Sequence, residues 1–465
     1  MINLIFFGNR AMDNHSQDLT RGSIPSLLVR MAIPIGIGLL MQTLYFVVDL
    51  YFVSSLGEEA IAGVGIAGNL NFLIIATTQV FNVGVTALIS QAVGRKDVAE
   101  AGSDFNQALL LCGVFSLATL VLGYGLGETY IRQFSESHHT IQLGTTYLWY
   151  FLPNMALQFA LTVMIAGLRG VGVVKPTMVL QMVGVLLNVI LTPILVSGWL
   201  TGHPLGVAGA GLSSSIASAL GLILLIRYFK KTPSFLSIQL RNLRPNVSTW
   251  GKILGIGLPT GGEFLIMFVY MAIIYGTLQT LGSHAQAGFG IGQRILQSLL
   301  MPGLALSFAA PAIVGQNYGA GHGDRIRETL ASLLKLNAIL LGALGAICVV
   351  FGGAMTSFFT DEADVLAVGS DYLFWTGFSF LPSIVLLSCN GIYQGLGNTL
   401  PALLSSVTRI SIVIIGCFLL VDRPDFHSTQ LWQLSFGANM VQATMSFLLL
   451  KRMLKQKLTV IHKPA

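Results

Sequence analysis

Apolar runs of about 20 residues recur from Met31 to Leu450, interrupted only by short clusters of Gly, Pro and charge. Wound as a helix at about 1.5 Å per residue, each run crosses roughly 30 Å of hydrocarbon. Hydrocarbon offers the backbone no hydrogen-bond partner, so such a chain folds as helices that satisfy their own N–H and C=O groups. The composition agrees. Of the 465 residues, 54% are hydrophobic and only 9% charged, whereas a soluble domain carries about a quarter charged residues. The expected class is an all-α integral membrane protein with almost nothing left over for a soluble domain.

Punctuation by Gly, Pro and charge divides the chain into twelve spans: 31–54, 60–92, 105–125, 141–166, 177–198, 207–228, 253–280, 284–316, 332–353, 370–393, 402–421 and 430–450. The second and eighth are too long for one straight crossing and should extend beyond the bilayer. With the N-terminus inside, the loops after even-numbered spans and the nearby helix ends hold Arg95, Lys96, Arg169, Lys175, Lys230, Lys231, Arg325 and Arg327. The opposite loops hold only Arg132 and Arg423. This asymmetry predicts that both termini are cytoplasmic. It also accounts for the net charge of +6 without a nucleic-acid partner. The four cysteines lie inside apolar runs and read as small buried hydrophobes, not a disulfide framework or zinc site. The opening apolar burst is too short for a signal peptide, and Met12 is an alternative initiator to Met1.

The chain repeats itself. A shift of 225 residues carries Pro34 onto Pro259, Leu56-Gly57 onto Leu281-Gly282, and Gly63 and Gly65 onto Gly288 and Gly290. The same shift carries Gln91 onto Gln316, Gly144 and Tyr147 onto Gly369 and Tyr372, and Gly170, Gly172 and Pro176 onto Gly395, Gly397 and Pro401. Each repeat holds six spans, an even number, so both run in the same sense across the membrane. The expected architecture is two six-helix bundles related by a pseudo-two-fold axis along the membrane normal. Its parts are an N-terminal tail (1–24), a first lobe (25–228), a basic linker (229–250), a second lobe (251–450) and a C-terminal tail (451–465).

Three strongly charged residues stand out within the spans: Asp49, Glu263 and Arg294. Asp49 shares a helix face with Gln42, two turns earlier, and Pro34 lies further down the same helix, where it removes a hydrogen bond and provides a place to bend. The fifth span offers Asn188 and Thr192 at i, i+4, and the fourth adds Tyr147 and Asn154. Together these form a candidate polar lining for the first lobe. Isolated Asn, Thr, Tyr or Gln in membrane helices more often bond neighbouring helices than bind a ligand. For Asp49 the balance reverses, because an ionisable group at depth is costly and functional by default. A group that is cheap when neutral and costly when charged suits loading and release of a proton. The counterpart of Asp49 in the second repeat is Ile274, so packing does not demand an acid there. Glu263, one turn after Pro259, reads as lying near the cytoplasmic end of the seventh span. It, Arg294 and Asn390 are candidate second-lobe or substrate-path residues.

These features carry a resemblance. The repeat, the twelve spans and "PIGIGLLMQTLYFVVDLYFVSSLG" resemble the multidrug and toxin extrusion (MATE) family, and the Gln-Thr-Leu-Tyr, three residues, Asp pattern is similar to its DinF-like bacterial branch. "GLRGVGVVKPT" and "GIYQGLGNTLP" resemble the family's glycine-rich turns after the fourth and tenth spans. The resemblance implies an exporter of amphipathic, often cationic drug-like compounds, driven by H+ or Na+, in the bacterial inner (plasma) membrane. It implies that Asp49 is the coupling acid, Pro34 the helix hinge, and Gln42, Tyr147 and Asn188 lobe-lining partners. Thr192 stands where some relatives have a second acid, which favours H+ over Na+. Glu263 lies about one turn shallower than the acid of relatives that have one in the seventh span.

The expectation is therefore a proton-coupled antiporter working by alternating access. A Na+-coupled antiporter is the alternative. A second is a lipid-linked oligosaccharide flippase, whose pyrophosphate cargo calls for several cavity cations where only Arg294 offers itself. No His-Glu-x-x-His helix or Gly-x-Ser-x-Gly turn suggests an enzyme. No cofactor, metal or oligomer is called for, and a monomer in the lipid bilayer is expected.

Overall fold

The computed structural model describes residues 18–231, 236–239 and 244–461. Met1, Met12 and most of the N-terminal tail lie outside the described residues. All regular structure described is helical. The first repeat forms α1 (Ile24–Ser54), α2 (Glu58–Gly94), α3 (Val98–Arg132), α4 (His138–Gly170), α5 (Lys175–Val196) and α6 (Val207–Lys231). The second forms α7 (Val247–Gln279), α8 (Ser283–Gly319), α9 (Gly323–Ser357), α10 (Ala363–Gly395), α11 (Leu400–Val421) and α12 (Ser428–Ile461). Shifted by 225 residues, both ends of α2, α3, α4 and α5 land on the ends of α8, α9, α10 and α11. The turns match too, with Gly57 and Gly282 at φ 101° and 102°, where a side chain would be strained.

Eleven of these helices are long and apolar enough to cross a membrane. The exception by composition is α12, which carries Asn439, Gln442 and Ser446 inside and ends in the basic stretch Lys451–Lys457. Its helix continues to Ile461, so most of the expected C-terminal tail is helical. At 37 residues each, α2 and α8 reach about 55 Å and overrun the hydrocarbon.

The contacts divide the chain at residues 33 and 258 where the sequence suggested 25 and 251. One unit holds Ile33–Gly257, and the other holds Leu258 onward together with Thr20–Ala32. Each cut falls one residue before a proline inside a helix, Pro34 in α1 and Pro259 in α7. Thr20–Ala32 is tied to the second unit by Arg325, which donates to the Gly22 carbonyl at 3.0 Å, and carries the fully buried Ile24, Leu28 and Met31.

Within the first unit α4 is central, packed by α2, α3 and α6; within the second α10 occupies the same place against α8, α9 and α12. Glycine permits both contacts. A Cβ on Gly63 would sit 2.8 Å from the Gly144 nitrogen, and one on Gly288 2.7 Å from the Val365 carbonyl oxygen. The backbones thus meet directly, the close approach that small residues allow in membranes. The linker is clamped to the first unit by two amides of α3. Asn106 donates to the Ser237 carbonyl (2.9 Å) and accepts from the Gln239 N–H (2.8 Å). Gln107 does the same with Arg244 (2.7 Å) and Asn246 (2.9 Å).

Gly63→Ala should therefore destabilise the protein by about 1–3 kcal/mol through overpacking. Gly65→Ala, with open space around its added carbon inside the same helix, should leave stability unchanged or raise it by up to about 1 kcal/mol. Thermal unfolding in detergent checks the pair, and equal effects would contradict the packing.

Candidate functional site

Helix α1 turns Val47, Leu50 and Tyr51 outward and Asp49 inward, where it is only 9% exposed. The Tyr147 hydroxyl of α4 lies within hydrogen-bonding reach of the Asp49 carboxyl. The Tyr147 ring is held by stacking on Phe151, centroids 5.1 Å apart. The other carboxyl oxygen, Oδ1, has no partner. One turn before Asp49, Tyr45 sets its hydroxyl against Ser214 of α6.

The neighbouring Ser213 ties in α5. Its single O–H goes to the Ala210 carbonyl at 2.8 Å, so its oxygen accepts from both neighbours on α5. Asn188 Nδ2 donates to it at 3.4 Å and Thr192 Oγ1 at 3.1 Å. All three are fully buried, and Asn188 keeps a free oxygen, Oδ1. The interior of the first unit thus joins Asp49 and Tyr147, and links α1 and α5 to adjacent serines of α6.

The remaining candidates are placed differently. Gln42 is exposed and stands outside this hydrogen-bonded group. Asn154 is buried but committed to helix packing, accepting from Ser218 at 2.5 Å while its N–H donates to Ser215 at 3.2 Å. Pro34 is buried within an unbroken helix. In the second unit Asn390 is half-buried and Arg294 exposed on α8.

Glu263 sits at the midpoint of α7, because the helix begins at Val247, ahead of the expected seventh span. Asn246 caps it, its Oδ1 accepting from the N–H groups of Ser248 (3.1 Å) and Thr249 (3.3 Å). That polar first turn, Asn246-Val247-Ser248-Thr249, is the sequence signal of a helix start inside the expected linker (229–250). Glu263 accepts from Ser406 of α11 at 3.5 Å, and Ser406 accepts from Gln442 of α12 at 3.0 Å.

The count of charged residues requires a correction. Arg409 lies at the middle of α11, within an expected span, a strongly charged residue beyond Asp49, Glu263 and Arg294. Its Nη1 donates to Asn439 at 3.2 Å and its guanidinium lies 4.7 Å from the Tyr270 ring centroid. Arg409 therefore joins Arg294 as a cation well inside the expected spans of the second unit, and the case against a pyrophosphate cargo is correspondingly weaker. Counting ionisable residues span by span would have found Arg409. Ser213 and Ser214 were also missed; their only signal was the triplet Ser213-Ser214-Ser215 on an otherwise apolar helix.

The family model for MatE matches residues 34–194 and again 259–419, two copies one repeat apart. The chain belongs to the MATE family. Among its curated relatives, it is 27% identical to a probable multidrug resistance protein of Bacillus subtilis, covering 83% of this chain and 86% of the relative. It is 22% identical to the multidrug export protein MepA of Staphylococcus aureus, over 84% and 86%. A MATE solved in a bent conformation has the same fold, with TM-score 0.89 at 21% identity over 97% of this chain and all of that one. As a MATE protein the chain is a multi-pass membrane transporter, in line with its apolar helices.

Ser213 is the hub of the buried network, so Ser213→Val should leave Asn188 and Thr192 unpaired at a cost of about 1–3 kcal/mol. The thermal midpoint in detergent should fall, while Ser54→Ala at an exposed helix end should leave it in place.

Proposed function

We propose that this MATE transporter exports amphipathic, drug-like compounds from the bacterial cytoplasm across the inner membrane in exchange for protons, by alternating access. The observation that carries the reading is Asp49, a carboxyl buried in the first unit with one oxygen unpartnered and the neutral Tyr147 hydroxyl within hydrogen-bonding reach. Its charge is costly there unless water or a counterion reaches it. Taking up a proton removes that cost and allows the surrounding helices to close around a neutral group. Closure bends α1 at Pro34, drug leaves, and release of the proton on the cytoplasmic side resets the cycle.

A membrane carrying about 150 mV of proton-motive force supplies roughly 3.5 kcal/mol per proton, at about 2.3 kcal/mol per 100 mV. That sustains a gradient of order 300-fold for a neutral substrate exchanged one for one. The drug class rests on the multidrug export and resistance proteins to which the chain is similar.

One observation favours Na+ as a second reading. The free Asn188 Oδ1 and the Thr192 hydroxyl are neutral oxygens of the kind hard cations take beside a carboxylate. Uptake of a fluorescent cation into energised inverted vesicles, under separately imposed H+ and Na+ gradients, decides between them. Proton-driven uptake should be lost in Asp49→Asn. Unchanged uptake in that variant would overturn the role of Asp49, and uptake driven by Na+ alone would establish the second reading.

A further inference from the structure

The inward side of α12 meets α7 and α11 in a seam of hydrogen bonds, as α6 meets α1 and α5 in the first unit. Its outward side carries a groove of about 600 Å3. Met440, Val441, Thr444, Met445 and Leu448 line it, and Arg452 closes one end. Met440, Thr444 and Leu448 stand four residues apart in one row, all exposed. The short Thr444 between two long side chains notches that row at its middle. Beside the notch the groove borders α11, where the Thr408 hydroxyl lies 3.4 Å from the Met445 sulfur.

From residue 440 to 449 the helix rises about 14 Å, close to half of the roughly 30 Å of hydrocarbon in a bilayer. The groove is as deep as one leaflet. It then runs into the basic end of α12. Val441, Leu448 and Lys455 recur every seven residues and share a stripe, with Arg452 one turn past Leu448 at its side. Both cations are exposed. Helix α12 contains no acidic residue, and among the described residues no ion pair joins Arg452 or Lys455 to a carboxylate. The helix end is held from behind. Met453, Leu454 and Leu458 are buried, and Lys457 donates to the Leu396 carbonyl at 2.8 Å and lies 5.3 Å from the Tyr318 ring centroid. The backbone that presents Arg452 and Lys455 is thus fixed before any ligand arrives.

The repeat separates the two parts of this surface. Arg452 and Lys455 have counterparts in Arg227 and Lys230, exposed at the same end of α6. By themselves such cations need only obey the positive-inside rule. Met440, Thr444 and Met445, by contrast, replace Ser215, Ala219 and Leu220. The side chains that shape the groove are those of α12 alone.

We propose that this groove binds an anionic phospholipid of the cytoplasmic leaflet, with an acyl chain along residues 440–449 and the phosphate on Arg452 and Lys455. The guanidinium receives phosphate oxygens through paired N–H bonds, and the lysine adds a point charge. Lipid tails are as apolar as the groove, so the chain sets register and the headgroup supplies the preference. A zwitterionic headgroup brings its own cation to two others and is disfavoured. The cytoplasmic C-terminus expected from the charge asymmetry puts this end of α12 at the inner leaflet, where basic clusters draw anionic lipid. The site lies apart from Asp49 and does not depend on the export reading.

Native mass spectrometry of the full-length protein in detergent, titrated with dioleoyl phosphatidylglycerol or dioleoyl phosphatidylcholine, reads the site. The first phosphatidylglycerol should bind roughly thirtyfold more tightly than phosphatidylcholine, the effect of two cations beside one headgroup. Arg452→Gln combined with Lys455→Gln should abolish that preference. Arg227→Gln combined with Lys230→Gln removes the same two charges from α6 and should leave it intact. Thr444→Trp fills the notch with both α12 cations in place and should lose most of the preference. Glycerol 3-phosphate at equal concentration should not compete. No preference in the wild type, or equal loss in the α6 and α12 charge variants, would reduce the effect to general surface charge and overturn the proposal. Full competition by glycerol 3-phosphate would mark a site for free phosphate groups and overturn it too.

Discussion

Hydrocarbon supplies no hydrogen-bond partner, and most of what this structure does with its polar residues follows from that. A side chain such as Asn188 or Arg409 must find its partner inside its own unit or carry the cost of lacking one. The partners are therefore gathered where three helices meet. Ser213 collects Asn188 and Thr192 in the first unit, and Ser406 joins Glu263 to Gln442 in the second. The outward faces of the same helices are left to Leu, Val, Ile and Phe. The glycine contacts at Gly63 and Gly288 serve this arrangement by bringing α2 and α8 against the central helices α4 and α10 without polar help.

The repeat shows how one frame accepts two chemistries. The ends of α2 to α5, the turn glycines Gly57 and Gly282, and the prolines Pro34 and Pro259 coincide after a shift of 225 residues, because they set backbone geometry common to both units. The residues facing the seams do not coincide. An acid on α1 has an apolar counterpart, Ile274, while a base on α11 has a glycine counterpart, Gly184. Substitution within a seam alters charge and volume locally and leaves the backbone frame intact, so the units can diverge in function while remaining alike in fold. The family match to each half separately reflects the shared frame.

Legibility varied with the kind of signal. The helices, the repeat and the family were readable because apolar run length and punctuation are local, and because the Asp49 motif lies on a single span. Boundaries were less so. Asn246 caps α7 from within the basic stretch expected as linker, so the helix begins six residues ahead of the expected span at 253. Gln42 shares a face with Asp49 by spacing but is exposed, and seven residues turn the helix about 20° short of two full turns, so spacing alone does not fix burial. Arg409 was hidden by its surroundings, a lone base in one of the most apolar helices of the chain.

By itself the sequence determined that this chain is helical, that it repeats, and that it places an acid in its first span. Those properties reside in composition, period and residue identity, which need no partner to be recognised. Only the tertiary structure decided which polar groups meet. Ser213 became a hub, Asn154 became packing, and Glu263 and Arg409 became members of one seam because helices distant in the chain bring them together. A hydrogen bond depends on where two side chains arrive in space, and spacing along one helix specifies only one of them.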